Sequence, residues 1–222
     1  MSIADCVELY PHAVLTSFVI TFILAAVVIR IPPISLSPNV YFDGREQSLE
    51  DIKKDHQTGN IFVRAFNAGV EASKQLQPRD IIDGLWDALK FAQKIVAYVI
   101  SIATIALILT EYTPLFTWLG KPMIPYLKLL GMPNAVEIAP STLVGIAEIA
   151  LPVMLISGKE IAMQSVFFII VLSTVQIIFF TESAQAMLES AIPLTPLDLV
   201  IIFLERTVIA MPLVALAAHL LF

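Results

Sequence analysis

The stretch Ala135-Val-Glu137-Ile-Ala-Pro140-Ser141-Thr-Leu-Val-Gly145-Ile-Ala-Glu148-Ile-Ala-Leu-Pro152-Val-Met-Leu-Ile-Ser157 decides the fold. It has the length and apolarity of a membrane-crossing helix, for which about 20 mostly apolar residues suffice. It also carries two carboxylates and two prolines. Glu137, Ser141, Gly145, Glu148 and Pro152 follow one another at intervals of four, four, three and four. On a continuous helix of 3.6 residues per turn they share one face. A charge at membrane depth costs roughly 2.5–3.5 kcal/mol on insertion scales, so such a face turns to a cavity or to partner groups. Each proline removes a backbone hydrogen bond. Broken helices with freed carbonyls are how many secondary transporters build their binding sites. The plainer reading is a kinked helix whose polar face packs on its neighbours.

The rest of the chain fits a membrane setting. Of its 222 residues, 58% are apolar and 14% charged, against about 45–50% and about 25% in a soluble domain. The mean hydropathy is +0.85. This composition excludes an ordinary soluble enzyme and a disordered chain. The net charge of −6 argues against a nucleic-acid partner. One cysteine, Cys6, excludes an intrachain disulfide and a cysteine metal cage.

Four further segments read as spans: Ala13–Ile29, Phe91–Thr110, Ile161–Phe180 and Leu197–Phe222. The first lacks a basic leader and a small-residue cleavage site, so it reads as an anchor rather than a signal peptide. The last opens with Thr195-Pro196-Leu197-Asp198, a threonine cap with proline in first position and a carboxylate at the positive end of the dipole. Pro114–Leu130 is apolar but interrupted by Lys121, Pro122, Pro125 and Lys128, and reads as a re-entrant or interfacial piece, which needs protein cover at membrane depth. The expectation is an all-α integral membrane protein with about five transmembrane helices, amphipathic interfacial helices and re-entrant hairpin segments.

Nine of the thirteen Lys and Arg residues lie between Arg30 and Lys94. The positive-inside rule then places the N-terminus outside and residues 31–90 in the cytoplasm. Leu36–Asn60 reads as a polar loop with Pro38, Gly44 and Gly59. Phe62, Phe66 and Val70, and after Pro78 the set Ile81, Ile82, Leu85, Trp86 and Leu89, each share a helix face, as amphipathic helices at a membrane surface do. Docking of a partner chain is the sharper alternative. The domains expected are residues 1–30 as anchor, 31–60 as polar cytoplasmic loop and 61–222 as membrane domain.

Glu205-Arg206 lies near the middle of the last span. Adjacent residues point about 100° apart on a helix, so Arg206 is expected to reach a carboxylate on another helix, Glu148 first. Such a bridge is either structural or an anchor for an anionic solute. Ser165, Ser173 and Gln176 form a stripe on the fourth span, read first as interhelical glue. Beyond it, Thr181-Glu182-Ser183-Ala184-Gln185 is a polar tip before the short apolar piece Ala186–Leu194, suggesting a second hairpin to match Pro114–Leu130. The candidate substrate-binding or ion-coupling residues are Glu148 and Arg206, followed by Glu205, Glu137, Ser141, Gln176, Thr181, Glu182 and Ser183. No catalytic residues and no metal ligands are assigned. Eight unclustered glycines make no phosphate loop. His12, His56 and His219 have no ligand spacing. Ser141 and Thr181 have no nearby histidine base, so an enzyme is not expected.

Glu111-Tyr-Thr-Pro-Leu-Phe-Thr-Trp-Leu-Gly-Lys-Pro-Met-Ile-Pro-Tyr-Leu-Lys-Leu-Leu-Gly-Met-Pro133 resembles the nucleoside-recognition, or Gate, pattern. There an apolar helix with an internal proline ends in Leu-Gly-x-Pro before a broken helix. Pro125, Leu130, Gly131 and Pro133 match it here. With Ser141–Pro152 and Phe180–Leu188, the region Ile61–Phe222 resembles the YjiH-like bacterial inner-membrane proteins. The resemblance implies a Gate-type membrane domain. It further implies one half of a secondary-type transporter for a small polar organic solute, such as a nucleoside-, amino-acid- or peptide-like compound. The implied partner is a smaller YjiG-like Gate protein, with self-association as the other way to complete so small a carrier. No cofactor is implied beyond a coupling proton or sodium ion. The chain lacks the gate cysteine and GTPase domain of ferrous-iron permeases. The alternative from another class is a non-transporting assembly or scaffold subunit with structural ion pairs.

Overall fold

The computed structural model of the protein describes residues 3–37, 60–75, 77–190, 192 and 194–222. Residues 38–59 of the polar loop expected over residues 31–60 therefore lie outside the described residues. All regular structure among the described residues is helical. The chain divides into two compact units, Met1–Ser37 with Tyr98–Phe222, and Pro38–Ala97.

In the first unit three helices form the core: α1 (Ile3–Val28), α9 (Met163–Gln176) and α11 (Pro196–Leu221) pack on one another. α1 buries one stripe, Leu9, Ala13, Ser17, Ile20, Leu24 and Val28, while Leu15, Phe18 and Phe22 on its other side stay exposed. A helix apolar on both its packed and its exposed face is suited to lipid. α9 is enclosed on almost every side, with Phe167, Phe168, Ile169, Val171 and Val175 fully buried.

α11 begins at the expected cap. Thr195 Oγ1 accepts from the Asp198 N–H, and the Asp198 carboxylate accepts from the Thr195 N–H at 2.8 Å. This satisfies two of the otherwise orphaned N-terminal groups. Thr195→Ala should lower unfolding stability by about 1 kcal/mol, read as a downward shift in the thermal midpoint with α-helical content unchanged below the transition. An unaltered midpoint would mean that α11 is held by its packing alone.

Among the described residues three helices are long and apolar enough to cross a membrane: Leu9–Val28 of α1, Pro78–Thr110 of α3 (Pro78–Tyr112), and Pro196–Leu221. The other two expected spans are divided. Ala135–Ser157 is α6 (Ala135–Ile138), α7 (Ser141–Val144) and α8 (Leu151–Ile156). Pro140 sits at the cap of α7 and Pro152 in the first turn of α8, positions where a missing N–H costs nothing. Ile161–Phe180 is helical only over α9. Its 14 residues measure about 21 Å at 1.5 Å per residue, short of the roughly 30 Å hydrocarbon core.

Pro114–Leu130 forms two short helices, α4 (Leu115–Gly120) and α5 (Met123–Leu129), joined at Lys121-Pro122. α5 stops in a Schellman motif: Met132 N–H donates to Leu127 O at 3.0 Å and Gly131 N–H to Lys128 O at 3.1 Å. Gly131 has φ +69°, a conformation in which glycine meets no Cβ penalty. Leu130-Gly131-Met132-Pro133 is thus a helix stop with a physical basis. The corner it makes is tied down. Asn134 Oδ1 accepts from Ala162 N–H at 3.0 Å, Ser165 Oγ donates to Pro133 O at 2.6 Å, and the His219 ring bridges Leu130 O and Gln164.

In the second unit, α2 (Ile61–Gln75) and the first part of α3 are the two expected amphipathic helices. Phe62, Phe66, Ile81, Leu85 and Trp86 are all exposed. The ion pairs Lys74–Glu71, Arg79–Asp83 and Lys90–Asp87 are solvent-exposed and contribute little.

Candidate functional site

The breaks in the two divided segments meet. Between α7 and α8 the chain leaves helical hydrogen bonding over residues 145–150. Between α9 and α10 (Ser183–Glu189) it does so over residues 177–182. Phe180 N–H donates to Ile146 O at 2.9 Å, joining one break to the other. Gly145 lies so close to Gln176 that a Cβ there would stand 2.7 Å from Gln176 Oε1.

α9 ends because Ile177 turns to φ +64°, ψ −30°. A β-branched residue is rarely found with positive φ, and such a conformation costs on the order of 1–3 kcal/mol unless its surroundings enforce it. Here they do. Ser183 Oγ donates to Ile177 O at 2.5 Å and accepts from Phe179 N–H at 3.0 Å. Arg206 on α11 donates from Nε to Gln176 O at 3.0 Å and from Nη2 to Val175 O at 2.7 Å. The last carbonyls of α9 are therefore capped by a cation, which also suits the negative end of the helix dipole.

Gln176 is the hub. Its side chain is buried, and Nε2 donates to Thr142 O and to Thr207 Oγ1, both at 2.7 Å. Thr207 Oγ1 in turn donates to Phe203 O. Three chain segments are thereby joined through one amide. Among the described residues five side-chain oxygens are buried without a partner; four lie on these elements, Gln176 Oε1, Ser141 Oγ, Thr181 Oγ1 and Glu205 Oε2, and the fifth, Thr110 Oγ1, lies on α3. Native proteins contain few such groups, because each costs about 1–3 kcal/mol to leave unpaired. Their accumulation on these elements is what a site for a hydrogen-bond donor or a cation presents.

The expected ion pair between Glu148 and Arg206 does not form. Glu148 is half-buried, and its carboxylate accepts from the N–H groups of Ala150 at 2.7 Å and Leu151 at 3.1 Å. It caps the start of α8, as an acidic group does when a helix restarts three residues later. Arg206 meets backbone carbonyls instead, and no described carboxylate lies within ion-pair distance of it. The single polar face over Glu137–Pro152 is also absent, because the segment is not one helix. Glu137 and Glu182 are exposed. Ser141, Gln176, Thr181 and Ser183 do gather around the two breaks. Thr142 and Thr207 are fully buried and were not singled out from the sequence. Thr207 had a usable signal in its place beside Arg206 within an otherwise apolar helix.

Comparison with known proteins finds a curated relative of greater length. The chain is 35% identical over 209 residues to an uncharacterized protein of Alkalihalophilus pseudofirmus, a match that covers 94% of this chain. The chain spans about half the length of that curated relative, 45% of it. No family model and no solved structure matches the chain.

Proposed function

We propose that the chain is one half of a secondary-type membrane transporter for a small polar organic solute, built on a Gate-type domain of about five membrane segments. The observation that carries this reading is the junction of two interrupted helices, Ile146 to Phe180, with unpaired buried oxygens on the surrounding elements. Irregular backbone at membrane depth is tolerated where it lines a cavity or is covered by protein, and paired discontinuous helices mark transporter sites. Gln176, Ser141, Thr181, Glu205 and Arg206 line or brace the solute path. Ser183 holds the break, Glu148 supplies a carboxylate at its entrance, and Glu137 and Glu182 stand as outer groups. The coupling ion is a proton or sodium.

The setting is the bacterial inner membrane, with the N-terminus outside and residues 31–90 cytoplasmic. The other half is a second Gate protein or a second copy. A scaffold subunit is the competing reading.

Uptake by the unaltered assembly separates the two readings, and Glu148→Gln tests the part the carboxylate plays in it. The glutamine oxygen can still accept from Ala150 and Leu151, so the cap survives while the charge is lost. Uptake into proteoliposomes containing the chain and its partner should fall by at least tenfold, with membrane insertion intact. Full uptake in this variant would remove Glu148 from the path. Absence of uptake by the unaltered assembly, across nucleoside, amino-acid and dipeptide substrates, would favour the scaffold.

A further inference from the structure

At the α9 break, lined by Ile177 and Ile178, lies a cavity of about 210 Å³. Its walls are aliphatic: Ile178, Met187, Leu199 and Ile202, with Ile34 and Ile192 at the margin. Arg206 also lines it. Arg206 is 8% exposed. It spends two of its five N–H groups on Val175 O and Gln176 O, which leaves three. An uncompensated cation among aliphatic walls exerts a field that water would otherwise screen. Carbonyl dipoles offset its desolvation only in part, since the net charge stays at +1.

We infer that this cavity binds a small carboxylate with an aliphatic body, its carboxylate on the free edge of Arg206 and its body against Ile178, Met187, Leu199 and Ile202. The guanidinium fork matches carboxylate geometry with two parallel hydrogen bonds. A phosphate would need more donors than these walls hold. The volume lies below the roughly 300–1,000 Å³ of drug-sized pockets, which sets the ligand at a few carbons. Ile177 and Ile178 belong to the α9 break, so an occupant sits beside the interrupted segment. The inference rests on the transport reading only in treating the ligand as the solute; binding at equilibrium is a separate property.

The test is binding of hexanoate to the full chain in phosphatidylcholine nanodiscs, measured calorimetrically against empty discs. Saturable hexanoate binding is expected, with hexan-1-ol at least tenfold weaker. Ile192→Trp fills part of the cavity while leaving Arg206 in the sequence and should weaken hexanoate at least tenfold. Arg206→Gln should do the same. Equal binding of hexan-1-ol would overturn the role of the cation. Unchanged hexanoate affinity in a folded Ile192→Trp protein would overturn the location. Loss of hexanoate binding when phosphatidylglycerol replaces part of the phosphatidylcholine would assign the cation to a lipid headgroup and overturn the soluble ligand. Hexanoate binding without uptake would leave this site standing and count against transport alone.

Discussion

Gly120→Ala is expected to lose about 3 kcal/mol of stability, the upper end of what overpacking typically costs. A Cβ at Gly120 would stand 2.7 Å from Pro140 N and 2.8 Å from both Ala139 C and Pro140 Cα. These are backbone atoms, and Pro140 is held by its ring at φ −58°, so neither side can yield by a rotamer change. Relief requires moving α4 off the start of α7, which opens the layer where Phe116 packs with Val144 and Leu151. Gly69 and Gly84 supply the internal control. Nothing lies within 4 Å of a Cβ at either, and both sit within helices. Alanine there should stabilise by about 0.5–1 kcal/mol. Reversible unfolding in mixed micelles, followed by circular dichroism, reads all three. A Gly120→Ala protein as stable as the Gly84→Ala protein would show that α4 does not rest on Pro140.

Arg206→Leu should cost about 1–3 kcal/mol, because Val175 O is orphaned while Gln176 O keeps the Ile178 N–H at 2.8 Å. A competing effect has the opposite sign. Replacing a buried charge with a well-packed apolar group can be neutral or stabilising where the charge is poorly compensated. The cap should win because Val175 O and Gln176 O are the terminal acceptors of α9 and Arg206 is the side chain that donates to them. Losing them also frees Gln176, on which the contacts to Thr142 and Thr207 depend. Arg206→Lys keeps the charge but loses the fork, and should recover about half of the deficit. The same unfolding titration distinguishes the cases. Equal stability of wild type and Arg206→Leu would mean that desolvation of the guanidinium cancels the whole cap.

The lesson from these residues concerns where helices stop. Thr195-Pro196-Leu197-Asp198 was legible because a capping box is local: its donors and acceptors lie within four residues. The Leu130-Gly131 stop and the prolines at 140 and 152 were legible for the same reason. The end of α9 was not. Ile177 is a β-branched residue in an apolar run, with no glycine, proline or polar cap to announce a break. What stops the helix there is Arg206, about thirty residues away in the chain, and Ser183. Likewise Glu148 carried the right chemistry for a buried ion pair. It found two backbone N–H groups first, because the helix it was expected to sit in had ended.

By itself the sequence determined that the regular structure of the described residues is helical, with long apolar helices suited to a membrane. It also determined the amphipathic helices after Asn60 and the polar residues that apolar surroundings must accommodate. Those properties follow from hydropathy, period and short-range caps. Only the tertiary structure decided which polar groups meet. The two breaks face each other, Gln176 joins three segments, and Arg206 serves carbonyls rather than a carboxylate. The reason is that a buried polar group takes whichever partner the packing brings within about 3 Å, and packing is settled by contacts far apart along the chain.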